Sequence, residues 1–244
     1  VYPDWLDHID EKRRRNLLQI LEELSKLQDQ ANLDFIIIGA LSLLFNNYLK
    51  YKVYWDIDIL FKDNDRLTNF IEKRKSKSLK IVDLDDTLMI NKNISSYHTV
   101  WAFDHIWFNV DYILRPGFFE YYTNAIAQQQ PYRAKIQLGD DCFNIELYIA
   151  HPWDIIVEKI FSPRTARDLE LKVDTSVDLR HIVAVYIQEK NNPVFWEYVF
   201  KKAALLQGEA AFKTKFLKIL DELTEFGYGD TEISAKSRKI LGSR

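Results

Sequence analysis

Apolar positions follow two regimes along the chain. Between about Asp10 and Ala31, Leu17, Leu18, Leu21, Leu24 and Leu27 recur at helical spacing with Arg and Glu on the other side, which predicts a long amphipathic helix. "FIII", Phe35 to Ile38, is a short apolar run stopped by Gly39 and reads as a buried strand. "LSLLFNNYLK" returns to helical spacing, "VYWDIDILF" is a strand, and "NDRLTNFIEKRK" is a helix capped near Asn64 or Asp65. "LKIVDL", "YHTVWAF" and "HIWFNVDYIL" predict three more strands, the last with clear alternation. "PGFFEYYTNAIAQQ" follows as a helix with Pro116 near its start, and "YRAKIQLGDDCFNIELYIA" as a hairpin turning at Gly139 and Asp140. After His151 the strand signals stop. "PWDIIVEKIF" opens a helix with Pro152 in its first turn, and helical patterns continue to the end.

This order predicts an α+β chain: a mixed sheet flanked by helices over residues 1–150, and a helical part over 151–244. A length of 244 residues allows one large domain or two small ones. The formal charge of -3 excludes a chain that binds nucleic acid through overall basicity. Cys142 is the one cysteine, which excludes an internal disulfide and fits a reducing, cytoplasmic setting. No apolar run reaches membrane-span length and no signal-peptide pattern opens the sequence, so a membrane partner is not expected.

The candidate chemistry sits in "YWDIDILF". Residues two apart in a strand share a face, so Asp56 and Asp58 project side by side next to apolar Trp55, Ile57 and Ile59. Two adjacent carboxylates repel unless a positive group joins them. Gly39, ending a strand and opening a helix just upstream, would offer backbone N–H groups to a phosphate, with Ser42 adding a hydroxyl. A divalent cation, Mg²⁺ or Mn²⁺, that arrives with a nucleotide would bridge these phosphates and carboxylates. Asp111, on a strand whose Trp107, Asn109 and Asp111 share one face, supplies a third carboxylate to bind metal or to act as base.

The stretch "IIIGALSLLFNNYLKYKVYWDIDILF" with Asp111 after it resembles the signature of the polymerase-beta-type nucleotidyltransferase superfamily, closest to the bacterial abortive-infection nucleotidyltransferase toxin-like proteins. Ala40 stands where that signature has a second Gly, and Lys52 and Tyr54 stand where the subgroup has Arg and Thr. "HPWDIIVEKIFSPRTARDLELKVDTSVDLRHI" is similar to the helical segment that follows the sheet in that subgroup, through Pro152, Asp154, Lys159, Arg164, Arg167 and Asp168. The resemblance spans roughly residues 33 to 182. It implies a nucleotidyltransferase-type sheet and a Mg²⁺-dependent transfer of a nucleoside monophosphate from an NTP to a hydroxyl. The acceptor stays open between tRNA, a protein and a small molecule. The resemblance also implies Asp56, Asp58 and Asp111 as catalytic and metal-binding residues. Gly39, Ala40, Ser42, Lys52, Lys159 and Arg164 become nucleotide contacts, and an antitoxin becomes a partner. An inactive nucleotide-binding or toxin–antitoxin interaction protein is the alternative class.

Plainer readings stand beside these. Lys159 reads equally as a solvated helix position, and Arg164, Arg167 and Asp168 as a surface ion-pair group. His98 and His105 lack metal-ligand spacing and read as structural. Trp55, Trp101 and Trp107 would stack on a base, but core packing is the expected use. "KRKSK", Lys73 to Lys77, reads as a solvated loop. "IVDLDDTL" resembles the first motif of haloacid-dehalogenase-like phosphatases, with Asp83 as nucleophile and Asp85 as acid/base, and "LGDDCFN" imitates their late acidic motif. That chemistry requires a parallel, helix-alternating sheet, whereas the surrounding strands read as antiparallel.

Overall fold

The structure, a computed structural model, describes residues 2–50, 56–74, 79–84, 96–103, 105–115, 117–124, 131–173, 176–225 and 235–242. The chain divides into two compact units, Val1–Ala150 and His151–Arg244. The first carries all the described strands, and the second is helical. Among the described residues, no helix is long and apolar enough to cross a membrane.

In the first unit a 3-10 turn (Asp4–His8) leads into helix α1 (Glu11–Leu27), capped by the Asp10 carboxylate on the Lys12 N–H. Strand β1 (Phe35–Ile38) and short helix α2 (Ala40–Phe45) meet at Gly39. Then come β2 (Asp56–Phe61), α3 (Asn64–Lys73), β3 (Lys80–Asp83), β4 (Ser96–Phe103) and β5 (Ile106–Ile113). The unit ends with α4 (Phe118–Thr123) and the hairpin β6 (Tyr132–Leu138) and β7 (Asp141–Leu147). The cap of α3 is Asp63, one residue before the expected pair, and its carboxylate accepts from the Arg66 N–H at 2.8 Å. That geometry requires extended backbone at the cap, which Asp63 has at φ -157°.

The five-stranded sheet runs β1-β2-β5-β4-β3. β2 and β5 are parallel, and every other neighbouring pair is antiparallel. One face is closed by an aromatic core: Phe61 and Phe70 ring centroids lie 5.0 Å apart, and Phe70 and Tyr112 5.3 Å. Trp101 is fully buried there and donates its indole N–H to the Tyr112 hydroxyl.

Helix α1 does more than bury leucines. Glu22 and Ser25 on this helix and Gln28 at its C-cap accept from the backbone N–H groups of Asn144, Glu146 and Tyr148. Residues three apart on a helix thus match N–H groups two apart on the outer edge of β7, satisfying donors that would otherwise be bare. Beyond β7 the chain turns along β1, where the Ile37 N–H donates to Tyr148 O and the Ala150 N–H to Ile37 O.

The second unit contains α5 (Pro152–Phe161), α6 (Pro163–Glu170), α7 (Val177–Glu189), α8 (Pro193–Ala203), α9 (Glu209–Glu225) and α10 (Ala235–Leu241). Proline opens α5, α6 and α8, where its missing N–H costs nothing. Ile156, Ile182, Val185, Phe195, Phe212 and Phe216 form its core.

Candidate active site

The sheet register builds the site. Across the parallel pair β2–β5, Asp56 lies opposite Asn109 and Asp58 opposite Asp111. Across β5–β4, Asp111 lies opposite His98 and Asn109 opposite Val100. Opposite residues share a face, so Asp58, Asp111 and His98 form one row, with Asp56, Asn109 and Val100 beside it. Ile57, Ile59, Val110 and Tyr112 point the other way and are fully buried. Asp56 is exposed, and Asp58 and Asp111 are half-buried.

Each carboxylate has its own surroundings. Asp56 Oδ1 accepts from Asn109 Nδ2 at 2.8 Å. Asp111 Oδ1 lies 2.9 Å from His98 Nδ1. Asp58 lies against Gly39: a Cβ built on that glycine would come 2.2 Å from Asp58 Oδ2. Gly39 has φ +75° and ψ -149°, a conformation open essentially to glycine alone. The strand therefore ends at a residue that must be glycine for two separate reasons, and both bring β1's turn onto the carboxylate row.

Other expected contacts fall elsewhere. Ser42 is fully buried and its hydroxyl donates to Ala150 O at 2.5 Å, so it is committed inside the first unit. Ala40 opens α2 and is half-buried. Lys52, Tyr54 and Trp55 lie outside the described residues, as do Asp85 and most of "KRKSK".

Lys159 and Arg164 belong to the helical unit, where both cations turn to Asp178. Lys159 makes a close ion pair with Asp178 Oδ1, and Arg164 Nε lies 3.7 Å from Oδ2. The Lys159 side chain is 13% exposed, so it is not a solvated helix position. Burial would raise the Asp178 carboxyl, but Lys159 and Arg164 outweigh it and hold it below the usual carboxylate range. Asp168 is buried and accepts from the Ser176 hydroxyl at 2.7 Å, and its other oxygen lies 3.5 Å from Nη2 of exposed Arg167, so the expected ion pair forms between these two while Arg164 turns to Asp178. Asp154 is fully buried, paired with Lys202 at 3.1 Å and accepting from the Tyr198 hydroxyl. Burial pushes the Asp154 carboxyl up to about 6 against the pull of Lys202.

His98, expected to be structural for want of ligand spacing, is set on Asp111 by the β4–β5 register, a contact that leaves that expectation standing. One expectation is corrected. Trp107 was expected in the core, yet it is 55% exposed on the carboxylate face because its alternation parity is that of Asp111. Cross-strand register was the missing signal for His98. Parity was available for Trp107, but openness of the face was not.

The phosphatase geometry is absent from the described strands. Asp83 ends edge strand β3, antiparallel to β4, and Arg74 Nη2 holds its carboxylate at 2.5 Å.

A divalent cation fits the donor chemistry of three same-face aspartates. In the conformation described, the carboxylates turn to separate neighbours. Among the described residues, no group of three or more His, Cys, Asp or Glu is arranged to hold a metal ion.

No protein-family model matches the sequence, and no curated protein sequence matches it. Among solved structures, the chain is similar to an antigenic nucleotidyltransferase-like protein from Paracoccidioides brasiliensis. The two share 14% identity at a TM-score of 0.37, over 76% of this chain and 92% of that one. At that distance the likeness assigns no residue and no chemistry.

Proposed function

We propose that the first unit is a nucleotidyltransferase that moves a nucleoside monophosphate from an NTP to a hydroxyl acceptor and releases pyrophosphate. The observation that carries this reading is the placement of Asp56, Asp58 and Asp111 on one open face, with the Gly39 turn packed on Asp58. Asp58 and Asp111 face each other across a parallel pair, and Asp56 lies one step along the same strand. Bound Mg²⁺ would supply charge neutralisation for the phosphates. Asp56 and Asp58 would hold it, with Asp56 turning away from Asn109. Asp111 would bind metal or take the proton of the attacking hydroxyl, and His98 would hold its carboxylate in place. Gly39 and Ala40 would present backbone N–H groups to the phosphates. Catalysis would rest mainly on positioning and on electrostatic stabilisation, as in phosphoryl transfer generally.

Lys159 and Arg164, which pair with Asp178 inside the helical unit, take no part in this reading. The abortive-infection subgroup and an antitoxin partner are a narrower form of the proposal, resting on the sequence likeness of the segment from Pro152 to Asp168, while Lys52 and Tyr54 depart from that subgroup's pattern. The test is a thermal shift with each NTP, with and without Mg²⁺, followed by transfer of α-phosphate label to the protein itself or to added RNA. Mg²⁺ plus the preferred NTP raises the melting temperature of the parent, and Asp58→Asn abolishes the rise. An equal rise in Asp58→Asn removes that residue from the site. A rise without transfer under any acceptor leaves a nucleotide-binding protein.

A further inference from the structure

Trp107 is a large apolar side chain standing 55% exposed on the face that carries the three aspartates. It occupies the row beyond Asn109 on β5, two alternations from Asp111. At about 3.3 Å per residue the separation along the strand is about 13 Å. This is the scale of a nucleotide laid along the sheet. Its position is anchored from behind. Arg13 Nη1 donates to Trp107 O at 3.2 Å, and the same guanidinium lies 5.5 Å from the Phe108 ring centroid. The nearest residues on the face are half-buried Ala102 and Val100, exposed Asn109, and then the carboxylates.

Among the described residues the indole stands between a short apolar strip, Ala102, Val100 and Val82, and the polar row of Asn109 and the carboxylates. A planar ring in that position suits a planar ligand that is apolar on its face and brings polar groups of its own. Stacking on an exposed indole is sequence-tolerant, because every base has a π-face.

We propose that Trp107 is a nucleobase platform, on which a base stacks while its phosphates or hydroxyl terminus reach the row of Asp58 and Asp111. This rests on the nucleotide reading of that row. The base has two sources, the donor NTP or the end of a single-stranded nucleic-acid acceptor.

The test compares the full-length parent with Trp107→Ala and Trp107→Phe. The probes are each NTP with Mg²⁺, inorganic tripolyphosphate with Mg²⁺, and a fluorescein-labelled single-stranded oligoadenylate RNA. The Ala variant binds at least one base-bearing probe about ten-fold or more weakly, and the Phe variant retains most of that affinity. Tripolyphosphate binds parent and variants alike. Weakening confined to the NTP assigns the platform to the donor, and weakening confined to the RNA assigns it to the acceptor. Equal affinity of parent and Ala variant for both base-bearing probes overturns the proposal, and so does a parent that binds neither. RNA binding that needs Trp107 but survives Asp58→Asn without Mg²⁺ upholds the platform, even where Mg²⁺-dependent NTP binding by the parent fails.

Discussion

Gly39→Ala tests the joint on which the site is built. The native φ of +75° with ψ of -149° costs a residue bearing Cβ about 1–3 kcal/mol. The added methyl would also lie 2.2 Å from Asp58 Oδ2 and 3.2 Å from its Cγ. Forcing the carboxylate aside costs about another 1–3 kcal/mol, the usual scale for overpacking. The two effects separate in a double-mutant cycle. Asp58→Ala removes both clashing atoms and leaves only Asp58 Cβ, 3.5 Å from the new methyl, which is ordinary contact. Gly39→Ala should therefore cost about 2–6 kcal/mol in the parent and about 1–3 kcal/mol in Asp58→Ala, a coupling of about 1–3 kcal/mol. Urea unfolding followed by far-ultraviolet circular dichroism and by tryptophan fluorescence measures both. Each kcal/mol should also move the melting temperature by about 2–4 °C. Equal cost in the two backgrounds would refute the close approach, and no cost in the parent would refute the glycine conformation as well.

Two further expectations concern the helical unit. Lys159→Ala leaves Asp178 8% exposed with only Arg164 beside it, so it should cost about 3 kcal/mol in urea unfolding, the low end for breaking a buried pair; a loss below about 1 kcal/mol would show the pair to be solvated. Burial, with Lys159 next, depresses His181 to about 3, and burial with Lys202 depresses His151 to about 4. Each contributes stability that is present above pH 6.5 and lost as pH falls toward the folded value, roughly 1.4 kcal/mol per pH unit at most. Asp154, raised from 3.8 to about 6, acts oppositely: native-state proton uptake contributes stability below 3.8 that is lost as pH rises through 6. Among the described residues neither ring nitrogen of His181 has a hydrogen-bond partner, so His181→Leu should be neutral or stabilising at pH 7. It should also flatten the stability profile between pH 6 and 4, where His151 and Asp154 then offset each other. An unchanged acid slope in that variant would exclude His181 as its source.

The local pattern by itself determined most of the elements. Leucine spacing predicted α1, alternation predicted β5, and proline predicted the start of α5. The i, i+2 rule put Asp56 and Asp58 on one face, and parity put Trp107 with Asp111. These features are legible because helix and strand periods are properties of a few neighbouring residues. Partners across strands are not. Asp111 meets Asp58 only because β5 inserts beside β2 in parallel, ahead of β4 and β3, which precede it in the chain. The same register, read across to β4, makes His98 a neighbour of Asp111. Lys159 and Asp178 are nineteen positions apart, and packing of the helical unit turned a position read as solvated into a buried pair. Trp101 and Trp107 show the limit most directly. They are the same residue type on adjacent strands, one fully buried and the other 55% exposed. The β4–β5 register sets them on opposite faces, Trp101 opposite Phe108 and Trp107 opposite Ala102, and which face is covered depends on what the rest of the chain packs against it, so both are long-range properties.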